Sequence, residues 1–353
     1  MTGLRTLWLS SLGIAGVALL IMFGLIASRW LLGWRTDSRE RERRRLIPLL
    51  LGDAGDGAEV PHIAQWVWRD VLANLTVELI QLVRGSDRDR FIASAVSLGV
   101  PERLRHQLGS GSPRVRQAAA EALGYFIEEG SAEQLHDALS DPNPDVRFTA
   151  AMALAEAGQA PPARELVEKL KIGTRENSLL VTALFRELGR KRPEDLEALL
   201  GDKSVPAAAR IAAVEALSQS GEYRLVPLIA AAADEADPDG RELPRYLRAL
   251  ASFAHPAAAG AVERSLGSTS PQVRSAAAEA AGKIGLLHLA GRLELLLSDP
   301  SWQVRFRSAE ALAAMGDDGA EILRRMARDR GTAAGEASAL ILAEHGLALR
   351  SLP

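Results

Sequence analysis

The chain has 353 residues, 47% of them hydrophobic and 25% charged, with a formal net charge of −3. That balance excludes a wholly disordered chain, and the length fits two ordinary domains or one elongated array of repeats. Zero Cys excludes disulfides, thiolate metal sites, Cys nucleophiles and palmitoylation, and aromatic residues at only 5% favour helices over strands.

Residues 6–28 carry no charge. A helix of that length, at about 1.5 Å per residue, crosses a hydrocarbon core of about 30 Å. Trp8 stands at one end and Trp30 and Trp34 at the other, where interfacial aromatic belts belong. Residues 1–34 are therefore predicted to form an N-terminal transmembrane anchor. A cleaved signal peptide and a buried core helix are the alternatives, but Ala27-Ser28 running into Arg29-Trp30 is a poor cleavage site. Arg5 alone precedes the span, whereas Arg35, Arg39, Arg41, Arg43, Arg44 and Arg45 follow it. The positive-inside rule then predicts a single-pass protein of the inner (cytoplasmic) membrane, with everything after the span in the cytoplasm.

Residues 35–60 read as a charged juxtamembrane helix followed by the loop Gly52-Asp53-Ala54-Gly55-Asp56-Gly57. The loop lacks EF-hand spacing, so its two Asp residues do not predict calcium. Residues 61–85 are predicted to be a capping helix opened by Pro61, with Trp66, Trp68, Leu72, Leu75 and Leu79 roughly on one side.

From residue 86 to residue 353 the chain repeats. Ser112-Pro113-Arg114-Val115-Arg116 leads into Ala118-Ala119-Ala120-Glu121-Ala122-Leu123, and Asp141-Pro142-Asn143-Pro144-Asp145-Val146-Arg147 leads into Ala150-Ala151-Met152-Ala153-Leu154. Ser270-Pro271-Gln272-Val273-Arg274 and Asp299-Pro300-Ser301-Trp302-Gln303-Val304-Arg305 open two more copies. Arg116 to Arg147 and Arg274 to Arg305 are both steps of 31 residues. Weaker copies fall near residues 88, 177, 210, 243 and 335. A fixed period of this size means a solenoid. Each unit reads as two helices. Pro113, Pro144 and Pro271 sit at first helical positions, with Ser112, Asn143 and Ser270 as N-caps. Gly158, Gly189, Gly221, Gly285, Gly316 and Gly346 are placed to end the first helix. A Leu- or Ile-bearing second helix then follows, as at Leu166 and Leu170 or Leu293 and Leu296.

The phrase Asp-Pro-x-x-x-Val-Arg-x-x-Ala-Ala-x-Ala-Leu resembles HEAT repeats, specifically the bacterial HEAT-like repeats associated with phycobilin lyases. The resemblance covers about three quarters of the chain. It implies an all-α fold, an α-solenoid of about eight HEAT-like helix pairs, here preceded by one transmembrane helix. It also implies that Asp141 with Arg147, Asp299 with Arg305, and the matching Arg116 and Arg274 form a structural ladder between repeats. Ser110 and Ser268 replace the Asp in two copies, which should weaken the ladder there.

Chemistry is sparse. The six His residues form no metal-ligand pattern, no glycine-rich phosphate loop follows a strand, and no nucleophile elbow occurs. No catalytic residue, metal or cofactor is predicted, and no small-molecule substrate is evident. Residues 1–45 hold eight Arg against three acids, so the remainder carries a net charge of −8. An acidic array with Trp302 as its only Trp is poorly suited to nucleic acid. The function predicted is a membrane-anchored scaffold for protein–protein interaction. Its partner is expected to be a membrane-associated enzyme or assembly, such as a polysaccharide-synthesis or secretion machine. A lyase-like or other enzyme subunit, holding a substrate or cofactor on the array, is the alternative. Candidate contacts are polar side chains of the second helices, including His136, Arg164, Lys169, Glu197, Arg224, Arg264, Arg292, Arg325 and Arg328. The irregular copy near residue 243, with its acidic entry and Arg241, Arg245, Tyr246 and Arg248, is the second candidate surface.

Overall fold

The computed structural model describes residues 65–80, 82–173, 178–238 and 240–347, together with Met22 as an isolated position. The predicted anchor (1–34), juxtamembrane segment (35–60) and Pro61 lie outside the described residues. Among the described residues no helix is long and apolar enough to cross a membrane. The predicted placement as a single-pass inner-membrane protein with a cytoplasmic solenoid is therefore corrected. It rested on the uncharged run 6–28, its flanking Trp residues and the Arg imbalance between Arg5 and residues 35–45.

The described residues form eighteen α-helices and no strand, in two compact units that meet in sequence between residues 138 and 139. The first unit holds α1 (Gln65–Leu79), α2 (Ser86–Ser97), α3 (Val100–Leu108), α4 (Pro113–Leu123) and α5 (Ala132–Ala138). Leu72, Leu75, Phe91, Leu104, Leu123 and Phe126 are fully buried in it. Arg88 lies 4.7 Å from the centroid of the Tyr125 ring, a cation–π contact.

The second unit alternates first and second helices of successive repeats. The first helices are α6 (Pro144–Glu156), α8 (Ser178–Lys191), α10 (Ala207–Leu217), α12 (Leu243–Phe253), α14 (Pro271–Ile284), α16 (Trp302–Ala314) and α18 (Ala333–Glu344). The second helices are α7 (Ala163–Leu170), α9 (Pro193–Leu200), α11 (Leu225–Glu235), α13 (Ala259–Ser265), α15 (Ala290–Leu296) and α17 (Asp317–Met326). Each first helix packs on the next first helix, most extensively α14 on α16, while second helices meet more sparsely. The Ala-rich phrase explains the difference. Ala276, Ala277, Ala278, Ala280 and Ala281 of α14 are buried, and short side chains let backbones approach. At Gly282 the approach is so close that a Cβ would lie 2.6 Å from the Cα of Ala311. Leu293, Leu312 and Leu323, all fully buried, close the space between layers, each contributing about 1.5–3 kcal/mol by leaving water.

Local signals act as expected at some positions and not at others. The Asn143 side chain caps α6 by accepting from the backbone N–H of Asp145 at 2.8 Å and of Val146 at 3.3 Å. Ser112 and Ser270 make no such bond; the Ser270 hydroxyl turns instead to Gln272 at 3.0 Å. Gly285 ends α14 in the left-handed region at φ 78°, the conformation that L side chains resist. Gly189, expected to end a helix, lies inside α8. There it makes room for Leu196, whose Cδ1 would be 3.3 Å from an added Cβ.

Candidate protein-interaction surface

The Val-Arg phrase places its Arg one turn inside each first helix, facing the connection it has just left. Arg305 Nη1 donates to the carbonyls of Asp299 at 2.8 Å and Pro300 at 3.0 Å. Arg147 Nη1 does the same to Asp141 at 2.8 Å and Pro142 at 3.3 Å. Within a copy the Arg therefore meets the backbone of the Asp. The Asp carboxylate serves the preceding repeat: Asp299 receives Arg274 Nε at 2.7 Å and Arg274 Nη2 at 2.9 Å. Arg274 Nη1 meanwhile holds its own turn at the carbonyls of Ser268 and Thr269. One guanidinium thus fixes a turn and clasps the next repeat. The Asp299 side chain is only 5% exposed. Burial alone would raise its carboxyl, but hydrogen bonds from Arg274 and the Ser301 N–H, with the charges of Arg274 and Arg305, bring it below the usual carboxylate range. Arg116 Nη1 holds the Ser110 carbonyl at 2.8 Å, so replacing Asp by Ser leaves the backbone half of the arrangement intact.

The irregular repeat keeps the clasp by other means. Arg210 Nε donates to Glu242 Oε1 at 2.7 Å, and Nη1 holds the carbonyls of Asp202 and Val205. Glu242 is the last residue before α12, whereas Asp299 lies in the middle of its connection. The connection 236–242 has seven residues and 297–301 has five. Tyr246 lies beside the pair, where the Glu242 carboxylate and the Arg210 guanidinium act on its hydroxyl in opposite senses. Burial pushes that hydroxyl up to about 12.

The candidate contact residues fall on separate helices of the two units. His136 is half-buried on α5 of the first unit. Tyr246 is 2% exposed and presents no surface, a correction with a plain cause: its position on α12 faces inward between layers. Arg245 is exposed but pairs with Glu215 at 3.1 Å, Arg248 stands 3.7 Å from Glu279, and Arg241 is exposed. On the second helices Arg164 binds Asp202 at 2.5 Å, Arg224 binds Glu197 at 2.8 Å, and Arg264 binds Asp234. Arg292 meets Glu263 at 3.3 Å and Arg325 meets Glu294 at 2.7 Å. Most of these Arg residues join neighbouring repeats. Exposed pairs of this kind contribute about 0–1 kcal/mol each and are screened by salt.

Two features escaped sequence reasoning. Trp302 stands 64% exposed at the start of α16, with its ring edge-on to Phe306 at 6.3 Å and Arg307 over Phe306 at 5.9 Å. In the copies at residues 113, 144 and 271 the same position is Pro. The second feature is a cavity of about 440 Å³ at the irregular repeat, floored by Arg210, Glu242 and Tyr246 and walled by Leu200, Leu228 and Ala232. The longer connection was its visible signal. Among the described residues no group of three or more His, Cys, Asp or Glu is placed to hold a metal ion.

A family model described as HEAT repeats matches residues 101–176. The uncharacterized phycocyanin operon protein Z of Pseudanabaena tenuis (strain PCC 7409) is 34% identical over 125 residues, 32% of this chain and 60% of that protein. Among solved structures, Kap121p bound to Ste12p and Kap121p bound to Pho4p each give a TM-score of 0.51, at 14% and 13% identity. Both matches cover 87% of this chain and 39% of Kap121p. At those identities the likeness concerns fold. The shared feature is the repeat, and nothing in these matches singles out the phycobilin-lyase type. The described chain is an all-α solenoid of HEAT/ARM-type repeats.

Proposed function

We propose that the chain is a protein-binding scaffold whose partner is anchored at Trp302. The supporting observation is a substitution that serves neither folding nor packing. Pro pre-sets the first turn of a helix, and three strong copies use it, yet α16 begins with an exposed Trp. An exposed Trp is unfavourable in water and is the side chain most enriched at the energetic centres of interfaces. Phe306 and Arg307 extend the patch by one helical turn, over the buried Val304 and Ser308 of the same helix. Kap121p, of like fold, is described in complex with protein partners, which agrees with this reading. The expectation of a membrane-associated partner, of a polysaccharide or secretion assembly, or of a lyase-like subunit has no corresponding feature on this surface.

The test is cross-linked capture with the tagged full chain in its native extract, comparing the unmodified chain with Trp302→Ala combined with Phe306→Ala. A partner retained at fixed stoichiometry, and lost in the variant at unchanged melting temperature, is the expected result. Capture that ignores the double substitution in a folded protein defeats the assignment.

A further inference from the structure

The cavity between α10, α11 and α12 can be assigned a guest by accounting for hydrogen bonds. Its donors are already committed. Arg210 gives Nε to Glu242 and Nη1 to two backbone carbonyls. Lys203, at the rim, pairs with Glu235 at 3.1 Å. Its acceptors are in surplus. The last turn of α11 leaves the carbonyls of Ala232 and Glu235, both on the lining, without an intrahelical partner, as any helix end does. Among the described residues no backbone N–H closes on them. Elsewhere such groups are taken up: Leu297, Ser298 and Asp299 donate back to Glu294, Leu295 and Leu296 after α15. After α11 the chain turns to extended geometry at Ala236, φ −70° and ψ 149°, and Pro238 brings no N–H.

Charge points the same way. The lining carries Glu235, Asp237 and Glu242 against Lys203 and Arg210, and the C-terminal end of α11 adds its negative dipole end. An anion entering here would find no uncommitted guanidinium and would face carboxylates. A cation would find open carbonyls. The walls are apolar, with Leu200, Leu228, Ala231 and Ala232 suited to an aliphatic stem.

We infer that this cavity is a subsite for a basic side chain, an arginine or lysine of a protein partner, its stem along Leu228 and Ala232 and its cationic head at the open carbonyls of α11. The guest rests on the scaffold reading given above, but it uses a different part of the second unit from Trp302.

The experiment uses the full chain and a flexible Gly/Ser peptide bearing one arginine beside a photoactivatable diazirine. Labelling is mapped by mass spectrometry of α10 and α11 fragments. Matched peptides carry lysine, the uncharged isostere citrulline, or glutamate. Arginine and lysine peptides should label these fragments at least about tenfold more than citrulline, the scale of one charge-assisted hydrogen bond. n-Butylguanidinium should compete. Ala231→Trp, at an exposed position that the guest would overlie, should abolish labelling without moving the melting temperature. Equal labelling by citrulline or glutamate, labelling that survives Ala231→Trp, or protection by n-butylguanidinium with no peptide labelling would each overturn the assignment. Because the probe is synthetic, failure of native capture at Trp302 and failure of labelling at the cavity are read independently.

Discussion

Arg274→Ala tests whether the guanidinium clasp between α14 and α16 carries stability out of proportion to the many other ion pairs. The substitution removes two charge-assisted bonds to Asp299, at 2.7 and 2.9 Å, and two bonds to the turn carbonyls of Ser268 and Thr269. It strands a carboxylate that is 5% exposed with the Ser301 N–H, at 2.8 Å, as its remaining described donor. Breaking a buried pair costs about 3–5 kcal/mol. Arg274 is itself 16% exposed, so water can reach the gap and the lower end, about 3 kcal/mol, is expected. With a urea slope of about 3 kcal/mol/M, that is a fall of about 1 M in midpoint. Arg325→Ala is the control. Its pair with Glu294 is exposed, and a loss below about 1 kcal/mol is expected. The assay is urea denaturation of the full chain followed by circular dichroism, with hydrogen exchange at α14 and α16 to localise the effect. Adding Asp299→Ala to Arg274→Ala should recover part of the loss by removing the stranded charge. Equal, small losses for Arg274→Ala and Arg325→Ala would refute the reasoning.

Asp299 also predicts an acid dependence. Its carboxyl is held below the ordinary value in the folded chain, so its contribution is complete above the unfolded pKa of about 3.9 and disappears as pH falls through the lower folded value. The gap in melting temperature between the unmodified chain and Asp299→Asn should therefore be widest near neutrality and close in acid below that range. Gly282→Ala, whose Cβ would press on the Ala311 Cα, should cost about 1–3 kcal/mol by overpacking, although Gly-to-Ala in an open helix is normally stabilising; thermal melting decides the sign. Asn143→Ala should cost about 1 kcal/mol through loss of a cap, whereas Ser112→Ala, with no cap bond to lose, should stay within about 0.5 kcal/mol in the same assay.

The repeat was legible because its signals recur at a fixed step, so helix starts near residues 113, 144, 271 and 302 follow from the phrase itself. Single-residue rules were less dependable. Ser112, Ser270 and Gly189 have the right chemistry for helix ends, but the chain on either side decided whether it was used. The ladder residues were legible and their partners were not. Asp141 and Arg147 stand six residues apart in one copy, which suggests a pair, yet Arg274 reaches the Asp of the following copy, 25 residues on. Exposure of Arg164, Arg292 and Arg325 was foreseeable from helical period. Their engagement was hidden, because each acid sits about a repeat away in sequence. Tyr246 failed because an aromatic on an irregular helix looks like a surface anchor until its neighbours are known.

The two layers of the second unit also differ in the order of their charges. In the turn clasps the Arg comes first and the acid follows, as in Arg210 with Glu242 and Arg274 with Asp299. Across most of the second helices the acid comes first, as in Glu197 with Arg224, Asp234 with Arg264, Glu263 with Arg292 and Glu294 with Arg325, whereas Arg164 with Asp202 runs the other way. A repeat edge therefore reads as a two-character key, with opposite charges on its two rows and the complement on the next edge. Duplicating a repeat together with its outgoing connection, residues 271–301, preserves the Arg274–Asp299 clasp and the order of charges on the second helices. Duplicating a single helix breaks the alternation between rows. Chimaeras joined at the connections should therefore keep both rows of pairs, whereas those joined inside a helix pair should lose one of them.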